Sequence, residues 1–302
     1  MLSHSCDINN KKAAQSSNSK KIHIHSYMDP VDPAFRLPPD KNAKIWQYME
    51  LAEFVSMLYR KALFFVKANK LRDPYEGIIP QLNDFIKSPT YSGLQEDNKQ
   101  STSEHSIDAS AQSLIQQFRM YRELVLVNSW HYNEYESAAM WHLYSHENAG
   151  IAIQSTTTRL MKCFRDNNED TVWVGKVQYL DFSKEWMEEW NNLFKGFLIK
   201  RKSFEYENEI RALTCLPDHH LGNKRATNTE GIQMVSGSKR DVLEARQTTE
   251  KGKYVVADLH TLVENVYIAP YSEPWFKEVV ESLLSKYHLN AKVVKSDLYT
   301  IS

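Results

Sequence analysis

The chain has 302 residues, with 37 Lys and Arg against 38 Asp and Glu, a net charge of −1 at neutral pH. Apolar residues make up 42%, the balance of an ordinary soluble globular protein, and a near-neutral field gives no reason for a long nucleic-acid groove. The 9 glycines lie too far apart to form G-x-G-x-x-G or G-x-x-x-x-G-K-[ST], which excludes a dinucleotide-fingerprint Rossmann unit and a P-loop.

Residues 1–42 are polar, with Pro30, Pro33, Pro38 and Pro39 among them, and read as a disordered or extended tail. Lys44 to Met49 predicts a strand. Leu51, Phe54, Val55 and Leu58 recur at helical spacing, and Ala62 to Ala68 reads as a second strand. Asp73, Pro74 and Gly77 then force a turn, with Asp73 as its cap and the role of Glu76 left open. Residues 88–107 are a long polar loop. Asp108 can cap a helix striped by Leu114, Ile115, Phe118 and Tyr121. Leu124 to Trp130 is a buried strand, Glu136 to His146 a short helix, Gly150 to Ser155 a strand and Thr157 to Arg165 a helix. Val172 to Phe182 reads as one strand. Trp186, Trp190, Leu193 and Phe197 predict an amphipathic helix over 184–202, ending in the cations Lys200, Arg201 and Lys202. Glu207 to Leu216 is a strand and 218–251 a second polar loop. Lys253 to Pro270 holds one or two strands, Trp275 to Leu289 a helix and Ala291 to Ile301 a strand. Without strict βαβ alternation, the expected fold is α+β: a mixed, mainly antiparallel sheet with packed helices, one main domain over 43–302.

Cys6, Cys163 and Cys215 are too few and too scattered for a disulfide framework or a zinc knuckle, so a cytoplasmic location is expected. No apolar run is long enough to span a bilayer. His142 and His146 have the i, i+4 spacing of a shared metal. Leu143 stands where an H-E-x-x-H motif needs Glu, and no third ligand is evident, so no metal is assigned.

The sharpest constellation is Glu207-Asn-Glu-Ile-Arg211. On a strand, Glu207, Glu209 and Arg211 share one face, because side chains alternate. Two close carboxylates shift each other's protonation and a cation offsets the repulsion. Such a pair can hold a ribose hydroxyl, act as a base, bind a cation, or simply make a salt-bridged edge. The second constellation is a strand ending in Trp130-His131 before a helix that starts near Glu136. His131 there is either a general base or ligand contact, or a surface histidine beside an aromatic cluster.

An ordered series joins these pieces: Trp46-x-Tyr48, Leu63-Phe-Phe65, Asp73-Pro-Tyr-Glu76, Trp130-His131, Met140-Trp-x-x-Tyr144, Gly150-Ile-Ala-Ile153, Val177-x-Tyr179 and Tyr206-Glu-x-Glu-x-Arg211. The series resembles the bacterial domain-of-unknown-function 2971 family over about residues 44–300. That resemblance implies a fold neighbourhood and no mechanism. A further analogy is to the arginine class of ADP-ribosyltransferases, which use an early Arg, a Ser-Thr-Ser strand and a late Glu-x-Glu. Arg122, Ser155-Thr-Thr157 and Glu207-Asn-Glu209 follow that order, although Thr157 departs from the motif. The analogy implies NAD as cofactor, the late Glu holding a ribose hydroxyl and the Ser-Thr segment shaping a nicotinamide pocket.

The expected function is an enzyme acting on a nucleotide or a nucleotide-modified target. Glu209 is the expected key acid, with Glu207, Arg211 and His131 around it. Tyr48, Glu76, Arg122, Trp130, Glu136, Ser155 and Lys202 are the candidate ligand-binding residues. The alternative is a non-catalytic module that senses a ligand or binds a protein partner. Nucleic-acid contact through Lys200-Arg-Lys202 ranks third.

Overall fold

The structure, a computed structural model, describes residues 35, 37, 38, 40, 42–78, 115, 116, 118–144, 149–164, 170–185, 193–216 and 248–300. Loop 88–107, most of loop 218–251 and most of the tail 1–42 lie outside the described residues, as do Leu114, His146, Trp186 and Trp190.

β1 (Lys44–Glu50) leads into α1 (Leu51–Arg60) and then β2 (Ala62–Lys67). The Glu53 carboxylate accepts from the Glu50 N–H at the start of α1 (3.2 Å), and Lys61 closes its end in the left-handed region. Phe54, Met57 and Leu58 are its buried stripe. Residues 118–124 are helical and run into β3 (Val125–Tyr132). There follow α2 (Ala138–Tyr144), β4 (Gly150–Thr156), α3 (Thr157–Lys162), β5 (Trp173–Lys176) and β6 (Gln178–Leu180). β7 (Ile199–Arg201), β8 (Glu209–Cys215) and β9 (Gly252–Val256) come next. α4 (Leu259–Leu262), β10 (Asn265–Ile268), α5 (Pro274–Lys286) and β11 (Lys292–Lys295) complete the order.

Nine strands form one mixed sheet, antiparallel except for β10 with β11. β6 and β7 form a separate parallel pair. The expected α+β class is therefore the observed one. No helix among the described residues is long and apolar enough to cross a membrane.

The centre of the sheet forks. β8 pairs with β3 from Val125 to His131 and occupies one whole edge of it. β1 and β2 share the other edge: β2 pairs only at Leu126 and Val127, β1 only at His131 and Tyr132. Between those contacts β1 and β2 part, with α1 connecting them. Ser129 is the one exposed residue of β3.

The two faces differ. On one, Ile45, Phe65, Leu126, Trp130, Ile153, Ile210 and Val255 form the main core with residues of α1, α3, α4 and α5. On the other, two smaller apolar clusters stand apart. Trp46, Tyr48, Met140 and Trp141 make the first, under α2. Val127, Trp173, Phe194, Phe197 and Leu213 make the second. A polar band crosses the sheet between them.

Three expectations are corrected. The 184–202 helix is not formed in its described part: residues 193–198 are 3-10 turns and Ile199–Arg201 is a strand. The apolar spacing there serves Phe194 and Phe197, which plug the second cluster from a tight turn. The single strand over 172–182 breaks at Val177 into β5, which joins the large sheet, and β6, which does not. Finally, β8 begins at Glu209, since Asn208 takes a left-handed backbone (φ 39°) after a 3-10 turn over 202–207. Glu207 is thus not on the same strand face as Glu209 and Arg211.

Candidate functional site

Alternation along β8 places Glu209 and Arg211 on the polar band, opposite His131 and Ser129 of β3. Glu209 and Arg211 are 5% and 1% exposed, so their charges need partners. Arg211 donates Nε to Glu209 Oε2 (2.8 Å) and Nη2 to Glu209 Oε1 (3.1 Å), a fork on a carboxylate. Its Nη1 donates to the Phe197 carbonyl (2.8 Å) and pairs with Glu76. Lys200 brings its Nζ to Glu209 Oε1 (2.8 Å), to the Glu207 carboxylate and to Glu76 Oε1 (3.4 Å). The turn that carries Glu76 ends at Gly77, whose φ of 72° favours glycine and whose Cα lies against the Phe197 ring, and Asp73 caps it by accepting from the Tyr75 N–H (3.0 Å). Asp73 also takes a two-point contact from Arg201, Nη2 to Oδ1 at 2.9 Å and Nε to Oδ2 at 3.2 Å.

These contacts separate the two carboxyls. Burial would push Glu209 up, but Arg211 and Lys200 hold it well below the usual carboxylate range. Glu207 is pushed up to about 7 by burial and by Glu209, with Lys200 only partly offsetting them. Glu207 therefore gains and loses its proton around neutrality, while Glu209 stays ionised.

His131 completes the arrangement. Its Nδ1 lies 2.6 Å from the Glu207 carbonyl. A carbonyl only accepts, so Nδ1 carries the hydrogen and Nε2 bears the lone pair of the neutral ring. Burial lowers the pKa of this histidine against the pull of the Glu207 carbonyl and the Glu209 charge. Nε2 is buried and has no hydrogen-bond partner among the described residues.

These groups line a cleft of about 900 Å³ that opens where β1 and β2 part. Its walls are aromatic: Tyr48, Phe64, Tyr144, Phe204, Tyr206 and Tyr254. Arg72 and Lys251 line it as well. Both are exposed and have no ion-pair partner among the described residues.

The cleft gathers Glu207, Glu209, Arg211, His131, Tyr48 and Glu76 from the sequence-derived candidates. The others lie elsewhere. Trp130 is in the main core on the opposite face, donating to Asn128 Oδ1 (2.7 Å). Glu136 accepts from Trp141 Nε1 (2.8 Å) behind α2. Ser155 is fully buried, on the same face as Ile45, and donates to the Leu262 carbonyl (2.6 Å). Arg122 lies near Glu76 and Asp73 outside the cleft lining, with a buried Nε that has no hydrogen-bond partner among the described residues. Lys202 is exposed. The ADP-ribosyltransferase analogy is corrected accordingly, because Ser155 and Glu209 lie on opposite faces of the sheet and cannot share one pocket. The basic run also dissolves: Lys200 is buried among carboxylates and Arg201 is bound to Asp73, which leaves Lys202 alone in solvent.

Sequence reasoning missed three contributors. Lys200 and Arg201 were hidden by the apparent helix, although two cations directly before an acidic strand were the available signal. Alternation puts Ser129 on the face of His131, but its exposure depends on the fork. Cys163 sits in the core as expected, its Sγ against the Leu160 carbonyl (3.1 Å).

The class defined by this geometry is an α+β protein with a buried acid–base cluster at the fork of its sheet. Residues 140–212 match the family model described as "Protein of unknown function (DUF2971)". The match runs from α2 into β8, so it contains Lys200, Glu207, Glu209 and Arg211 and stops short of His131 and Glu76. It is narrower than the ordered series over 44–300. No curated protein matches the chain.

Proposed function

We propose that the cleft is the active site of an enzyme acting on a nucleotide or a nucleotide-modified target, with His131 as general base and Glu207 as general acid. The observation that carries this reading is the buried, unpartnered Nε2 of His131 in the wall of the cleft, fixed as a lone pair by the Nδ1 contact to Glu207. An acid and a base whose environments push their protonation apart are the usual parts of proton-transfer catalysis. Glu209, Arg211 and Lys200 then act as positioning residues that hold Glu207 and the strand beneath it. This changes the role expected for Glu209, because its carboxylate is spent on Arg211 and Lys200. The nucleotide class is supported by aromatic walls that can stack a base, by Arg72 and Lys251 for phosphate, and by a volume within the range of small-molecule sites. NAD is one candidate within that class.

The test incubates the protein and its His131→Gln and Glu207→Gln variants with NAD, ATP and ADP, and follows both binding and product release. The expected result is turnover of at least one probe by the wild type and loss of turnover, with retained binding, in both folded variants. Failure of the folded wild type to bind any of the three would overturn the reading. A second reading, a binding module without chemistry, is favoured by the self-saturation of Glu209 and Arg211. Equal binding by wild type and His131→Gln without product would select it.

A further inference from the structure

Among the described residues, the fork leaves one rung of the sheet unmade. The Tyr132 N–H donates to Asn208 O (2.7 Å) and the Leu216 N–H to Leu124 O (2.9 Å), so the even-numbered residues of β3 turn their backbone groups toward β8. Odd-numbered residues turn theirs to the other edge, as the Asn133 N–H to Lys44 O contact just beyond the strand shows (3.3 Å). On that edge Val127 meets Val66 of β2, and His131 meets Trp46 of β1. Ser129 lies between them. No strand among the described residues pairs with it there. Among the described residues its carbonyl is approached only by Gln47 Nε2, at the long distance of 3.5 Å. Ser129 is exposed, lines the cleft and shares a strand face with His131.

A backbone N–H and C=O side by side, in the middle of a sheet whose neighbouring rungs are closed, form a fixed donor–acceptor edge. We infer that the ligand of this cleft carries an amide-type edge, as in a carboxamide, a lactam or a lactam nucleobase, and completes the sheet by pairing with the Ser129 backbone. The complementary group offers an acceptor to the Ser129 N–H and a donor to its C=O, as an added strand would. The pairing sets that group two residues from His131 Nε2. The inference rests on the reading of the cleft as a ligand site and narrows which end of a nucleotide faces its floor.

Amide hydrogen exchange and ¹⁵N NMR on the whole chain test it in two stages. In the free protein the Ser129 N–H should exchange faster than those of Val127 and His131 by roughly a thousandfold or more, since those belong to the sheet interior. Equal protection of all three would overturn the open rung, whatever the enzyme reading. Benzamide and 2-pyridone are then the probes, with N,N-dimethylbenzamide and methyl benzoate as controls that lack the N–H donor. The expected result is that the first pair shifts and protects the Ser129 amide and the controls do not. Ser129→Ala keeps the backbone groups and should bind benzamide within about twofold of wild type. Loss of binding in that variant, or equal response to the controls, would overturn backbone recognition. Nucleotide turnover without a change at the Ser129 amide would do the same while leaving the proposed activity intact.

Discussion

Under α1, α3, α4 and α5 the sheet buries Ile45, Phe65, Ile153, Ile210 and Phe276 among apolar neighbours, while its other face buries Glu76, Glu209, Lys200 and Arg211. Apolar burial stabilises in rough proportion to area and asks little of geometry. Buried charge stabilises only when every partner is in place, and an apolar replacement of the whole set is often no worse. The helix-covered face thus serves stability. The cleft face holds charges in fixed positions, which a purely structural sheet has no need to do.

The comparison can be broken at several points. The largest expected effect is on the charged face: Arg211→Met leaves Glu209 and Glu76 buried without their main cation and should cost about 3–5 kcal/mol in urea denaturation. A loss below about 1 kcal/mol would mean the cluster is solvated and the contrast false. On the helix-covered face, Phe276→Ala should cost about 3–4 kcal/mol through a cavity under α5, yet leave the affinity of the cleft for its probes unchanged. A parallel loss of affinity would show that the faces are coupled. Ser155→Ala should cost about 1–2 kcal/mol by leaving the Leu262 carbonyl unpaired, again without effect on the cleft.

An effect of similar size is pH-dependent. Glu207 is raised from 4.5 to about 7, so the folded state keeps a proton that the unfolded chain has released. Its contribution is full below pH 4.5 and is lost as the pH rises through 7. Glu207→Gln removes that slope. The variant should therefore gain on the wild type by about 1–2 kcal/mol between pH 5 and pH 8. A stability difference that does not change with pH would contradict the raised carboxyl.

Much of this was legible in the chain. Period-two alternation placed Glu209 and Arg211 on one face, and the strand and helix patterns showed β1, α1, β2, β4 and α5 in order. Glu207 was misplaced because nothing local announced that Asn208 would turn left-handed. The 184–202 segment was misread because aromatic spacing in a tight turn mimics a helical stripe. Trp130 and Ser155 were drawn to the site by motif position, but alternation alone would have put each on the face opposite its neighbour, His131 or Gln154. The pairing of Glu76 with Arg211 joins residues 135 positions apart and depends on the fold as a whole. The fork is likewise a tertiary feature, set by where β1 and β2 leave β3.

The central claim is that His131, in the wall of the cleft, keeps a bare lone pair on its buried Nε2. The ¹⁵N chemical shifts of its ring, followed from pH 8 to pH 5 in the wild type, test it most directly. The account predicts a neutral ring with the proton on Nδ1 at pH 7, protonating only below the ordinary histidine value of 6.5. A proton on Nε2 at pH 7, or a ring that charges above 6.5, would contradict it.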